Sequence, residues 1–224
     1  MSTLPITPIA HATMHEHVYK RLCDLILDGS IAPGQMVTIN GLAESFGVSA
    51  MPVREALKRL TAANALTVVS GRTIGVPNLD AGRLRDLRRV RLLLEPTSTR
   101  WAAERVDNAF LADLGDALLE LEKAAAACDR ARFVRCNYRF HFTIYRHAKS
   151  DTALNAIEML WLRVGPSFHL LSKENQYRYS NMMHQAAYDA LKNHDAEAAA
   201  KAIQSDIEDG MDSLLALLDQ PLEE

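Results

Sequence analysis

Phe46-Gly47-Val48-Ser49-Ala50-Met51-Pro52-Val53-Arg54-Glu55-Ala56-Leu57-Lys58-Arg59-Leu60 is the stretch that decides how this chain is read. Gly47 ends one short helix. Ser49 stands where its hydroxyl can accept from an orphan amide of the next helix. Pro52 falls in the first helical turn, where a missing N–H costs little. Val53, Ala56, Leu57 and Leu60 repeat at helical spacing and predict one buried stripe. Ser49, Ala50, Arg54, Lys58 and Thr61 fall on or near the other side. A short helix anchored on one face and carrying Arg and Lys on the other suits the DNA major groove.

The flanks extend this pattern. Thr38 is the expected cap of a helix through Leu42, Ala43 and Phe46. Ala32-Pro33-Gly34 is a turn signal that separates it from an earlier helix, Met14 to Leu27, on which Val18, Leu22, Leu25 and Ile26 share a face. Asn64 tolerates the left-handed conformation that a helix exit often needs. Leu66 to Val69 and Thr73 to Val76 are β-type runs around Ser70-Gly71-Arg72, which predicts a hairpin. Three helices and a hairpin make a winged helix over residues 13–77. Arg72, at the wing tip, is placed to meet a phosphate or the minor groove. A lone helix-turn-helix pattern would fit a small helical subdomain as well; the ordered run of turn, helices and hairpin is more specific.

Composition bounds the rest. The chain has 224 residues, 48% hydrophobic, which is ample for a packed core. No run is long enough to cross a bilayer. Residues 1–12 hold Pro5 and Pro8 without a basic leader and read as a disordered tail. Cys23, Cys128 and Cys136 lack metal-type spacing, which predicts a reducing, cytoplasmic setting. The net charge of −3 divides into +1 through Pro77 and −4 beyond it. A near-neutral reading domain needs a few placed cations and the avidity of two copies, so a homodimer on double-stranded DNA is expected.

From Asp80 onward strand signals vanish. Helical patterns run from Ala81 to Arg105, Asn108 to Ala127, Ala131 to Ala148, Thr152 to Leu171, Asn175 to Asn193 and Ala196 to Leu218. Asp80, Asp107, Asp129, Asp151 and Asp195 sit where N-caps are wanted. Gly165-Pro166 should break the fourth pattern. Short connections imply antiparallel neighbours. The fold class is therefore mainly α: a winged helix-turn-helix with a β-hairpin wing, a hinge at residues 78–79, and an all-α antiparallel bundle over residues 80–224.

Met14 to Pro77 resembles the DNA-binding domain of the GntR family of bacterial transcription regulators. Ala32-Pro33-Gly34, Leu42-Ala43, Gly47-Val48-Ser49, Pro52-Val53-Arg54-Glu55-Ala56-Leu57 and the wing glycine Gly71 carry the resemblance. The family usually has Arg and Thr where this chain has Ala50 and Met51, and Gly where it has Asn64. The resemblance implies a DNA-binding set of Thr38, Ser49, Ala50, Met51, Arg54, Lys58 and Arg72. With the usual Arg missing, Arg54 becomes the main base reader and a divergent operator is implied.

The remainder resembles the FCD ligand-sensing domain of the FadR-type branch. Arg91 to Glu95 matches its R-x-x-x-E, Asn137 to His141 its D-x-x-F-H, and His184 with Asp195 to Ala199 its later His helix and acidic cap. Asn137 and His141 lie one helical turn apart on one face. In the family, the equivalents of these two, of His184 and of Asp206 hold a divalent metal. Here Asn replaces the usual Asp and Asp206 the last His, leaving two imidazoles, one carboxylate and an amide, a set suited to Zn or Ni. The resemblance further implies a small organic-acid effector held by the metal and by Arg91, and most often a repressor. Arg91 could instead pair with Glu95 along its own helix. Arg83, Arg85, Arg88, Arg89 and Arg91 read as a solvated face and dimer surface. His147, His169 and His194 read as packing or surface residues, and His11, His15 and His17 as only superficially a metal tract. No catalytic residues are expected: a metal hydrolase or lyase would need a partnered nucleophile or a separate general base. A bundle that only dimerises is the other alternative.

Overall fold

The structure, a computed structural model, describes residues 14–27, 30–31, 35–70, 73–77, 80–171 and 174–218. The expected tail at residues 1–12, the Pro33-Gly34 turn, the wing tip with Arg72 and the hinge at 78–79 lie outside the described residues.

The first helix, α1, spans Met14–Leu27. It packs against the third helix of this part, burying Val18, Leu22 and Ile26 as the periodicity predicts. Leu25 is only half-buried and Leu27 takes its place in the core. A three-residue strand, β1 (Met36–Thr38), leads into α2 (Ile39–Phe46). The Thr38 hydroxyl caps α2, accepting from the Gly41 amide at 3.1 Å. Gly47 closes α2 at φ 65°, a left-handed position that an L side chain adopts only with strain. α3 is Ala50–Ala62. Ser49 precedes it with extended backbone, yet its hydroxyl makes no cap bond, contrary to expectation.

Strands β2 (Thr67–Ser70) and β3 (Thr73–Gly75) form the expected wing. β1 adds to its far edge, so the sheet has three strands in the order β1-β3-β2, all antiparallel. Val37 lies opposite Ile74, and a register irregularity falls between Val68 and Ser70.

Six helices follow among the described residues: α4 (Ala81–Ala103), α5 (Asn108–Ala126), α6 (Arg130–His147), α7 (Asp151–Val164), α8 (Glu174–Lys192) and α9 (Ala196–Leu218). Asp80, Asp107, Asp129 and Asp195 cap four of them, accepting from Gly82, Phe110, Arg132 and Ala198 amides at 2.6, 2.7, 3.0 and 2.9 Å. Before α7 the cap is Ser150 and not Asp151. Lys149 turns left-handed at φ 55°, so Ser150 is already extended and Asp151 becomes the first helical residue. Gly165-Pro166 ends α7 in a 3-10 turn, Gly165–Leu170.

α4 packs on α9, α9 on α8, and α5 on α6. Phe140, Phe142, Tyr145 and Trp161 fill the centre. α1 rests on α7 and on the 3-10 turn, which docks the winged helix on the bundle.

Among the described residues, four helices are left through a non-glycine residue with positive φ: Asn64 after α3, Cys128 after α5, Lys149 after α6 and His194 after α8. After three of them the next amide folds back on the helix: Ala65 to Leu60 O, Asp129 to Ala124 O and Asp195 to Ala190 O, at 3.0, 3.0 and 2.9 Å. A side chain in this conformation costs about 1 kcal/mol. Cys128 is exposed, so nothing is lost with its thiol. Cys128→Gly is expected to raise stability by about 0.5–1 kcal/mol in urea titration.

Candidate functional site

Two places concentrate the predicted residues. The first is the outward face of α3. Pro52, Val53, Ala56, Leu57 and Leu60 are buried and fix the helix from behind. Arg54 is exposed on the opposite side, as are Ser49 and Met51, the latter 60% exposed. Ala50 is half-turned inward. Lys58 is exposed and bonded to Glu55 at 2.8 Å, which together with Lys58's charge lowers the Glu55 carboxyl below its ordinary range. Such an exposed pair contributes little to stability. Arg59 turns aside, to Glu16 at 3.0 Å and over the Tyr19 ring at 3.7 Å. Thr38 lies off this helix with its hydroxyl engaged as a cap.

The second place is buried in the bundle. His141 on α6, His184 on α8 and Asp206 on α9 converge. His141 Nε2 lies 3.1 Å from His184 Nε2 and 3.1 Å from Asp206 Oδ2, and His184 Nε2 lies 3.7 Å from Asp206 Oδ1. The two 3.1 Å separations fall within the edges of a coordination shell with bonds of about 2.1 Å, where edges run from about 3.0 Å (octahedral) to about 3.4 Å (tetrahedral), and the His184–Asp206 separation is wider than either. Asn137, half-buried, lines the same cavity as His141 and Asp206.

A polar chain behind His141 sets its tautomer. Arg91 grips Glu95 through Nε and Nη2 at 2.6 and 3.3 Å. Tyr145 donates its hydroxyl hydrogen to Glu95 Oε2 at 2.6 Å. The Tyr145 oxygen must then accept from His141 Nδ1, 3.0 Å away. With Nδ1 so engaged, His141 turns its Nε2 toward His184 and Asp206. A ligand imidazole with its second nitrogen held this way is the usual metal arrangement.

Burial pushes the His184 imidazole down to about 4, so it is neutral at pH 7 and able to ligate. Its Nδ1 is buried without a hydrogen-bond partner among the described residues. Burial pushes Asp206 up, but His184, His141 and the Ser180 hydroxyl at 2.6 Å outweigh it and hold the carboxyl well below its usual range. Burial and Glu95 drive the Tyr145 phenol far above its ordinary value, which keeps it a donor. The chemistry of this donor set fits a divalent cation.

The cluster opens on a small cavity of about 50 Å³. Phe133, Val134, Trp161, Phe168, Leu171 and Ile207 make an apolar wall; Arg91, Ser180 and Asp209 contribute polar groups. Arg91 is 2% exposed and spends two nitrogens on Glu95, with Nη1 3.4 Å from Met211 Sδ. The pairing along its own helix is thus realised, and Arg91 borders the cavity while serving as an internal counter-ion. Burial, Asp206 and Asp212 raise the Asp209 carboxyl.

Tyr145, Ser180, Asp209 and Trp161 escaped the sequence reading. Tyr145 lies one turn beyond His141 and was legible by spacing. Ser180 and Asp206 meet across two helices, and no local pattern joins them. Of the arginine run on α4, Arg85 and Arg89 are exposed, whereas Arg83 bonds to Asn64 O, Arg88 to Asp212 and Arg91 to Glu95. His147 is a packing residue, stacked on Phe110 at 4.0 Å and bonded to Arg105 O. His194 forms a helix exit, and His15 and His17 are exposed on α1. His11 and the His169 side chain lie outside the described residues.

Residues 14–76 match the family described as bacterial regulatory proteins, gntR family, and residues 86–209 match the FCD domain. The chain belongs to the gntR family. The HTH-type transcriptional regulator McbR of Escherichia coli strain K12 is 32% identical over 161 residues, 72% of this chain and 73% of McbR. The solved structure of E. coli McbR superposes with a TM-score of 0.86 at 27% identity, covering 93% of this chain and 100% of that one. The gluconate operon transcriptional repressor of Bacillus licheniformis is 28% identical over 203 residues, 84% of this chain and 80% of the repressor. A gntR regulator with an FCD domain is a DNA-binding transcription regulator and not an enzyme, which sets aside the hydrolase and lyase alternatives. No described helix is long and apolar enough to cross a membrane.

Removing one partner of a buried ion pair strands the other. Glu95→Ala is expected to cost about 3 kcal/mol in chemical denaturation. The double substitution Arg91→Met with Glu95→Met should recover at least about 1 kcal/mol of that loss.

Proposed function

We propose that this gntR regulator is a homodimeric, metabolite-responsive repressor that reads a palindromic operator with α3 and senses its effector in the bundle cavity. The single observation that carries the reading half is the Arg54 guanidinium, exposed on a helix whose other face is locked in the core. Ser49, Ala50, Met51 and Lys58 flank it, with Thr38 and the wing residue Arg72 completing the contact set. The uncapped first amides of α3 suit a backbone phosphate. Leu93 and Trp101 are exposed on the same outward stretch of α4, and a second copy of the chain is the occupant assigned to it. Residues 13–77 and 80–224 act as reading and sensing units, joined at 78–79.

In the sensing half, His141, His184 and Asp206 are assigned to a divalent metal, Zn or Ni, with Asn137 as a weaker fourth ligand. A bound cation would supply a Lewis-acidic position for a carboxylate. The cavity's charge makes this conditional: Asp206 and Asp209 face it, while Arg91 is already balanced by Glu95. An organic acid is therefore repelled from the metal-free cavity and admitted by the metal-loaded one, with Arg91 Nη1 the remaining guanidinium donor. Effector binding alters DNA affinity only through unequal affinity for the two arrangements of the reading domains.

Arg54→Ala should weaken binding to a duplex selected by the unmodified protein from a random pool by about fivefold or more, about 1–3 kcal/mol, in a gel-shift titration. Unchanged affinity would overturn the reading role of Arg54. Zinc added after chelator treatment should raise the melting temperature of the chain, and His141→Ala with His184→Ala should abolish that rise. A melting curve indifferent to zinc would leave the bundle with dimerisation alone.

A further inference from the structure

The exit of α3 is held from outside. A helix ends with carbonyls that its own amides cannot satisfy. Here Leu60 O receives Ala65 N, and Thr61 O receives Asn64 N. The carbonyls of Ala63 and Asn64 go to the bundle. Ala63 O accepts from Arg163 Nε at 2.9 Å, and Asn64 O accepts from Arg83 Nη2. Arg163 lies in the last turn of α7 and Arg83 in the first turn of α4. Two guanidinium groups from two different bundle helices therefore grip consecutive carbonyls at the negative end of the α3 dipole, where cations are favoured.

Both helices also reach the cavity. Trp161, two residues before Arg163, is in the cavity wall. Residues two apart on a helix point to nearly opposite sides, so α7 offers Trp161 inward and Arg163 outward to the winged helix. On α4, Arg91 borders the cavity eight residues after Arg83, about 12 Å along the axis. The same rods that line the cavity thus hold the end of α3. α7 is also seated against α1, with Gly165 beneath Leu27: a Cβ there would stand 3.8 Å from Leu27 O.

We infer that Arg83 and Arg163 are positioning residues for DNA reading: they set the angle at which the bundle presents α3. This rests on α3 being the reading helix, as proposed above. Two hydrogen bonds in different directions restrict rotation of the winged helix in a way that one could not. With both removed, each winged helix stays folded and remains seated through α1 on α7, but its α3 end pivots about that contact. A duplex bearing two half-sites then binds less tightly, because both copies must be ordered at once. A duplex bearing one half-site, which constrains no angle between copies, is spared.

The test compares the full chain with Arg83→Met/Arg163→Met, which has no donor at either position, and with Arg83→Lys/Arg163→Lys. The probes are a two-half-site duplex selected from a random pool and the same duplex with one half-site scrambled. The methionine pair should bind the two-half-site duplex about tenfold more weakly and the single half-site within about twofold of the unmodified chain. The lysine pair, which keeps a donor at each position, should recover most of the loss. Amide exchange of the segment 63–66 should speed up at least about tenfold in the methionine pair, while exchange within α4 and α9 is unchanged. Equal losses on both duplexes, or no loss on either, would overturn the inference. Should the unmodified chain fail to distinguish the two duplexes, the palindrome reading fails instead. The exchange measurement then decides the matter, unchanged exchange at 63–66 overturning the clamp.

Discussion

An arginine and a glutamate, one turn apart and both sealed from water, sit at the centre of the bundle. Their pairing constrains everything around it. Either charge alone would be costly in that setting, and the pair itself is tolerated only when its remaining hydrogen-bonding positions are filled. Tyr145 fills one of them, and by doing so commits its oxygen to His141. The orientation of the metal-type cluster is thus inherited from an ion pair on a different helix. α4, α6, α8 and α9 must all be in register for this chain of bonds to close. A network of this kind specifies one packing of helices whose apolar faces could otherwise slide.

Much of the architecture was legible in local pattern. The caps at Asp80, Asp107, Asp129 and Asp195, the break at Gly165-Pro166 and the left-handed exit at Asn64 follow from single-residue chemistry, and the structure has all of them. Where local reading failed, a neighbour or a distant partner intervened. Asp151 lost the cap to Ser150 because Lys149 turned the chain one residue earlier. β1 was invisible because Met36–Thr38 is too short to show alternation, and it exists only by pairing with β3. The Ser49 hydroxyl occupies the capping position without making the bond, which the residue type alone does not predict.

The candidate sites divide in the same way. The exposed side of α3 follows from the spacing of its buried side, so Arg54 and Met51 could be placed from sequence. His141, His184 and Asp206 lie on three helices, and only the family resemblance joined them. The position of Arg91 was read with two outcomes, of which the structure has the pairing with Glu95; the side chain also borders the cavity. The interdomain bonds of Arg83 and Arg163 had no local signal, since a carbonyl acceptor leaves no mark on residue type.

The cavity separates two kinds of residue with different freedom to change. Arg91 and Glu95 are locked together: a lineage altering either one first passes through a stranded charge, so drift at these positions is blocked unless both move at once. The apolar wall carries no such linkage. Phe133, Leu171 and Ile207 touch the cavity without belonging to the polar chain. Exchanging one hydrophobic side chain there for another of different bulk reshapes the chamber at modest cost. Descendants of this chain can therefore change the shape of the chamber by editing the wall alone, while the polar cluster and the bundle stay fixed.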